Sequence, residues 1–130
     1  MGDYSIAERA EAVDWMADYP GFGEMRWFSD ALATEQVSFS WRLMPPDTGG
    51  RGTYGHRHPG QEEVYFVISG TVTFKLDDDV VEVGPRSAVR IGGSTFRSVH
   101  NDGDTEAELL LFSTRDPDAT TERREGFWDD

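Results

Sequence analysis

Two histidines one residue apart, followed five residues later by a carboxylate, carry the densest chemistry in this chain. They are His56, His58 and Glu63, inside the stretch GRGTYGHRHPGQEEVYFVISG at residues 50–70. On an extended backbone, residues i and i+2 point to the same face. His56 and His58 therefore aim two imidazoles into one space. Glu63 opens a strand-like run, Val64-Tyr65-Phe66-Val67-Ile68, and can bring a carboxylate to the same patch. Two imidazoles and one carboxylate on one face can hold a divalent metal with open positions. Tyr65 shares the parity of Glu63 and is expected on the same cavity wall, as filler or as a hydroxyl donor to substrate. Gln61 is either a plain loop residue or a partner that orients a histidine ring nitrogen.

The elements that must position these groups are short strands. Residues 36–44 alternate Val37, Phe39, Trp41 and Leu43 with Ser38, Ser40 and Arg42, the period of a strand. Further strands read at 63–68, 71–76, 80–83, 87–91, 96–101 and 107–114, separated by Gly/Asx turns such as Ser69-Gly70, Asp77-Asp78-Asp79 and Asp102-Gly103-Asp104. Residues 24–32 read as an earlier strand, and 6–18 as one short amphipathic helix with Ser5 and Glu8 as a capping box. Phe39, Trp41 and Tyr54 are expected in the core or cavity. The tail, 116–130, is polar, with Phe127-Trp128 as an aromatic anchor for docking on the body. Many short strands and little helix mean an all-β sandwich or small barrel, and such barrels can enclose a ligand cavity.

Composition narrows the function. At 130 residues the chain is expected to form a single domain, 1–130, with a barrel core at about 36–114. It has no cysteine, which excludes disulfides, thiolate metal sites and a cysteine nucleophile. The formal charge is −13, from 25 acidic and 12 basic residues. That argues against nucleic acid and anionic membranes as partners, since both need a basic footprint. The N-terminal residues are charged and lack a signal-peptide core, and no apolar run is long enough to span a bilayer, so a cytoplasmic protein is the expectation.

The spacing at residues 50–70 resembles the first motif of the cupin superfamily. That motif is Gly, five residues, His, one residue, His, three or four residues, Glu, six residues, Gly, and Gly50, His56, His58, Glu63 and Gly70 meet it at each position. The resemblance implies a double-stranded β-helix (a jelly-roll-like barrel), commonly dimeric, with a divalent ion (Zn, Fe, Mn or Ni) on His56, His58 and Glu63. The family's second motif is matched in part, by Gly84, Gly92-Gly93-Ser94 and Asn101. Its histidine position, a fourth ligand in the family, is Arg97 here. His100 is the nearest histidine and becomes a ligand only if a bulge turns it inward.

Arg97 cannot ligate a metal, because a guanidinium has donors only. It can instead pair with Glu63 and take the metal's electrostatic place, or grip an anionic group of a substrate. Three readings follow. The chain is a metal-dependent cupin enzyme carrying out dioxygenation, decarboxylation or isomerisation of a small, anionic molecule. It is a non-catalytic small-molecule-binding barrel. Or it is a metal-free barrel organised by Glu63 and Arg97. Val64, Phe66 and Ile68 form an apolar face away from the ligand side that a helix or a second subunit must cover, so a homodimer is expected.

Overall fold

The structure is a computed structural model that describes residues 2–129. Among these residues, twelve strands and one α-helical turn follow in order, besides two 3-10 turns: β1 (Val13–Asp14), β2 (Glu24–Trp27), α1 (Phe28–Leu32), β3 (Val37–Met44), β4 (Thr48–Gly49), β5 (Gly55–Arg57), β6 (Glu63–Ser69), β7 (Val72–Leu76), β8 (Asp79–Val83), β9 (Ser87–Ile91), β10 (Arg97–Asn101), β11 (Ala107–Thr114) and β12 (Glu122–Arg124). One sheet runs β1-β2-β3-β11-β6-β9; the facing sheet runs β12-β5-β10-β7-β8, with β4 also on β10. Every pairing is antiparallel. This is a double-stranded β-helix, the architecture that the resemblance at residues 50–70 implies. Among the described residues, no helix is long and apolar enough to cross a membrane.

The core fills one end of the barrel. Val67, Val72, Phe74, Ala107 and Leu109 are fully buried there, with Met44, Ile91 and Leu111 around them. They come from both sheets at alternate positions, as side chains pointing into a closed pair of sheets must. Gly70 closes the turn before β7 with φ +79°, and a Cβ there would stand 2.9 Å from Ala107. Only glycine suits that backbone and that contact.

Three expectations are corrected. Residues 6–18 do not form a helix. They hold a 3-10 turn at Arg9–Glu11 and then β1. The supposed apolar stripe has nothing to pack on, since Ile6 is 78% and Val13 61% exposed. The segment instead gains pairing of Val13 and Asp14 with Trp27 and Arg26, stacking of Trp15 on Trp27, and two backbone N–H groups, of Met16 and Met25, donating to the Asp14 carboxylate. The Ser5 hydroxyl donates to the Leu32 carbonyl rather than capping a helix.

The strand expected at 24–32 stops at Trp27. Phe28–Leu32 turns as a helix closed by Ala33 in the left-handed region, φ 56°.

On β3 the alternation is right and its sense inverted. Ser40, Arg42 and Met44 are buried inside, while Phe39 and Trp41 lie on the outer face. Phe39 stacks on Phe112 there and meets Phe28 at a tilt, and the Trp41 indole donates to Glu108.

Candidate metal centre and ligand cavity

The site is built where β5 and the start of β6 face each other across the open end of the barrel. His56 is the middle residue of β5, so its side chain points inward, and it lies opposite Arg97 of β10 in register. His58 follows at the strand's end, one pleat on. The turn 58–61 is held by the Gln61 amide donating to the His58 carbonyl. The loop at Gly92-Gly93 packs directly on this turn. A Cβ on Gly93 would meet the His58 carbonyl at 2.6 Å, so a side chain there would displace the ligand loop. Glu63 enters from the other sheet as the first residue of β6.

The ligand atoms of His56, His58 and Glu63 lie within 4.8 Å of one another, and the two imidazoles meet edge to face at 4.8 Å. Donors on one ion sit about 2.0–2.2 Å from it, so modest side-chain rotation closes this set onto a single centre. Two observations suit a cation. Among the described residues, Glu63 Oε1 is buried without a hydrogen-bond partner. The pKa of His56 is lowered to about 4, first by burial and then by the neighbouring His58, Arg97 and Arg123. A neutral imidazole at physiological pH keeps the lone pair a metal needs.

Tyr65, two residues along β6, is 4% exposed. Its phenol is held well above its ordinary pKa by burial and by the adjacent Glu63. It stays a protonated donor on the cavity wall.

Arg97 is 1% exposed and sits behind the ligand set. Its Nε is 3.8 Å from Glu63 Oε1, beyond hydrogen-bond reach. Nη2 donates weakly to the Gly92 carbonyl at 3.4 Å, and Nε and Nη1 have no hydrogen-bond partner among the described residues. It does not belong to the lining of either cavity lobe, so its place is a buried charge backing Glu63, not a fork at the cavity mouth. His100 does not join the group. It lies on the outer side of β10, next to Asp47 at 3.1 Å and edge-on to Trp128. No bulge turns it inward, and β10 runs in continuous register with β7. Gln61 lines the cavity, but its side-chain amide donates to the Thr114 carbonyl rather than to a histidine. Glu62 is on the surface, paired to Arg90.

Sequence reasoning missed the contribution of the C-terminal segment. Phe127 and Trp128 dock as expected, 5% and 1% exposed. Between them and β11 the chain crosses the cavity mouth and adds β12 to the edge of β5, Arg123 opposite His56. This brings the Thr121 hydroxyl to 3.1 Å from His58 Nδ1. When Nδ1–H donates to that hydroxyl, Nε2 is left as the ring's lone-pair atom. The aromatic anchor was the one sequence signal that the tail returns to the barrel.

The cavity has two lobes, of about 780 and 500 Å³, which share Met16, Tyr54, His56, Tyr65 and Arg123. The larger also carries His58 and Glu63 on its wall.

With the barrel and its His/His/Glu wall established, comparison with known proteins gives the class. The family model described as cupin domain matches residues 42–113, more than half of the chain. The chain belongs to that family. No curated protein matches. Among solved structures it is similar to a cupin-superfamily sugar phosphate isomerase from Silicibacter pomeroyi, at 19% identity and TM-score 0.73, over 92% of this chain and 81% of that one. A cupin protein from Bacteroides fragilis matches at 19% identity and TM-score 0.69, over 91% and 89%. A polyketide cyclase from Streptomyces resistomycificus matches at 17% and 0.70, over 94% and 84%. At these identities the likeness is one of fold.

Proposed function

We propose that the chain is a metal-dependent cupin enzyme that moves a proton on a small carbonyl or hydroxyl compound, with His56, His58 and Glu63 as metal ligands. The observation that carries this is the set itself: two imidazoles and a carboxylate with an unpartnered oxygen, on the wall of a cavity large enough for a ligand. A divalent ion there would supply Lewis-acid polarisation of a ligand oxygen. Thr121 holds the His58 ring, Arg97 backs Glu63, and Tyr65 offers a proton-bearing hydroxyl beside the ligand space. The core packed beneath Tyr65 excludes water from that end. Among the three reaction classes the sequence leaves open, isomerisation is favoured by the fold's likeness to an isomerase and a cyclase.

A second reading, a metal-free barrel with Glu63 paired to Arg97, draws on their 3.8 Å approach. It is the weaker one, because neither Glu63 Oε1 nor Arg97 Nε makes a hydrogen bond. The outer face of the first sheet, with Val37, Ile68 and Phe112 exposed by a third to a half, suits a homodimer.

Titration of chelator-stripped protein with Zn²⁺, Mn²⁺, Fe²⁺ and Ni²⁺ tests the proposal. One saturable site per chain that Glu63→Gln weakens strongly supports it. Equal weak uptake by wild type and variant refutes it.

A further inference from the structure

We infer that the cavity takes a planar compound of two or three fused rings bearing hydroxyl or carbonyl oxygens, and not a phosphorylated sugar. The inference rests on the metal-site reading only for the end of the ligand that meets His56, His58 and Glu63.

The walls carry the argument. Trp15 and Trp27 stack with ring centroids 5.1 Å apart and planes 19° from parallel, and both line the larger lobe with Met16 and Met25. Each indole gives one face to the other, and the pair adds aromatic surface with thioethers beside it, a surface suited to contact with a ring. The rim is equally apolar. Trp15 is 48% exposed, Tyr19 62%, Phe22 43% and Tyr54 40%, and all four border the two lobes. Concentrated at a cavity mouth, such surface marks a binding site rather than scattered exposure. Ser40 lies opposite Trp27 in register, and Ser38 and Ser113 also line the lobe. The Ser38 and Ser40 hydroxyls offer neutral hydrogen bonds, right for phenols and ketones, while the Ser113 hydroxyl already donates to the Glu62 carbonyl.

The same walls are wrong for a phosphate, which needs converging cations or a helix N-terminus. The lining arginines are engaged. Arg42 donates to the carbonyls of Phe22, Glu24 and Leu43. Arg115 holds Ser29, Thr34 and Asp30. Arg123 lies on the Tyr54 ring and pairs with Glu125. Glu63 and Asp116 also line the larger lobe, so among the described residues the wall presents no cluster of free, converging cations for a phosphate to meet.

Calorimetric titration with three probes tests this: 1-hydroxy-2-acetonaphthone, fructose 6-phosphate and laurate, against Zn²⁺-loaded and chelator-stripped protein. The bicyclic ketone is expected to bind the loaded protein with Kd on the order of 10 μM. Trp15→Ala, at an exposed position that leaves the core intact, is expected to weaken it about 3- to 10-fold. Fructose 6-phosphate and laurate are expected to bind more weakly than the ketone. Tighter binding of either, or an unchanged affinity in Trp15→Ala, overturns the inference. Ketone binding to a protein that takes up no metal supports the inference and sinks only the metal reading. Metal uptake with preferred fructose 6-phosphate binding does the reverse.

Discussion

The Thr121 hydroxyl lies 3.1 Å from Nδ1 of His58, so a residue of the C-terminal segment sets the ring of a residue in the barrel's His/His/Glu group. Hydrogen bonds of this kind fix a ligand histidine's tautomer and orientation, and losing one costs about 10- to 100-fold in metal affinity. Thr121→Val, isosteric but without the hydroxyl, is expected to lose affinity in that range, while Thr121→Ser keeps it. Chelator-competition titration reads the difference. A purely structural role would give equal effects in both variants.

Arg97 stands in register with His56, at the position a fourth imidazole would take. A fixed positive charge beside a divalent ion weakens its binding. Arg97→His removes that charge and adds a ligand. It is expected to tighten metal binding by about tenfold or more, measured by the same competition. Unchanged affinity would mean that Arg97 lies too far from the centre to matter.

His56 makes stability pH-dependent in the metal-free protein. Its pKa falls from 6.5 to about 4 on folding. As pH drops below 6.5 the unfolded chain takes up a proton that the folded chain refuses, so stability is lost down to about pH 4 and the loss then levels off. Glu24 and Asp102, whose pKa values are lowered chiefly by hydrogen bonds from Arg9 and Arg51, act in a lower window. Their contribution is present above their unfolded values, 4.5 and 3.8, and disappears as pH falls through the folded ones. Urea denaturation of chelator-treated protein at steps between pH 7 and 5 is expected to show the upper slope. His56→Gln is expected to flatten it.

Trp128 is 1% exposed, packs under the Arg51 guanidinium at 4.5 Å, and takes part in backbone hydrogen bonds with Gly52 and Thr53. Trp128→Ala is expected to cost about 3–5 kcal/mol in urea denaturation. Because Trp128 anchors the segment carrying Thr121, it is also expected to weaken metal binding. A large stability loss with unchanged metal affinity would show that β12 holds its place without the anchor.

That His56, His58 and Glu63 come together was legible because their motif is a statement about parity and spacing, which strand geometry turns into a shared face. The strands from 37 to 114 were legible for the same reason. Parity does not say which face is inside. On β3 the polar residues point inward, because the lumen there is a ligand cavity as well as a core, and the aromatics cover an outer face. The segment 6–18 misled because its apolar residues fit a helical stripe, while Trp15 and Asp14 found better partners on β2. Thr121 carried no signal, since its role depends on a long-range strand pairing in a stretch without periodicity.

Metal content of protein purified without a His-tag or chelator, measured by elemental analysis beside a His56→Ala/His58→Ala variant, tests the central claim most directly. The account predicts close to one divalent ion per chain in the wild type and almost none in the variant. Wild-type protein that holds no metal, even after reconstitution, would contradict it.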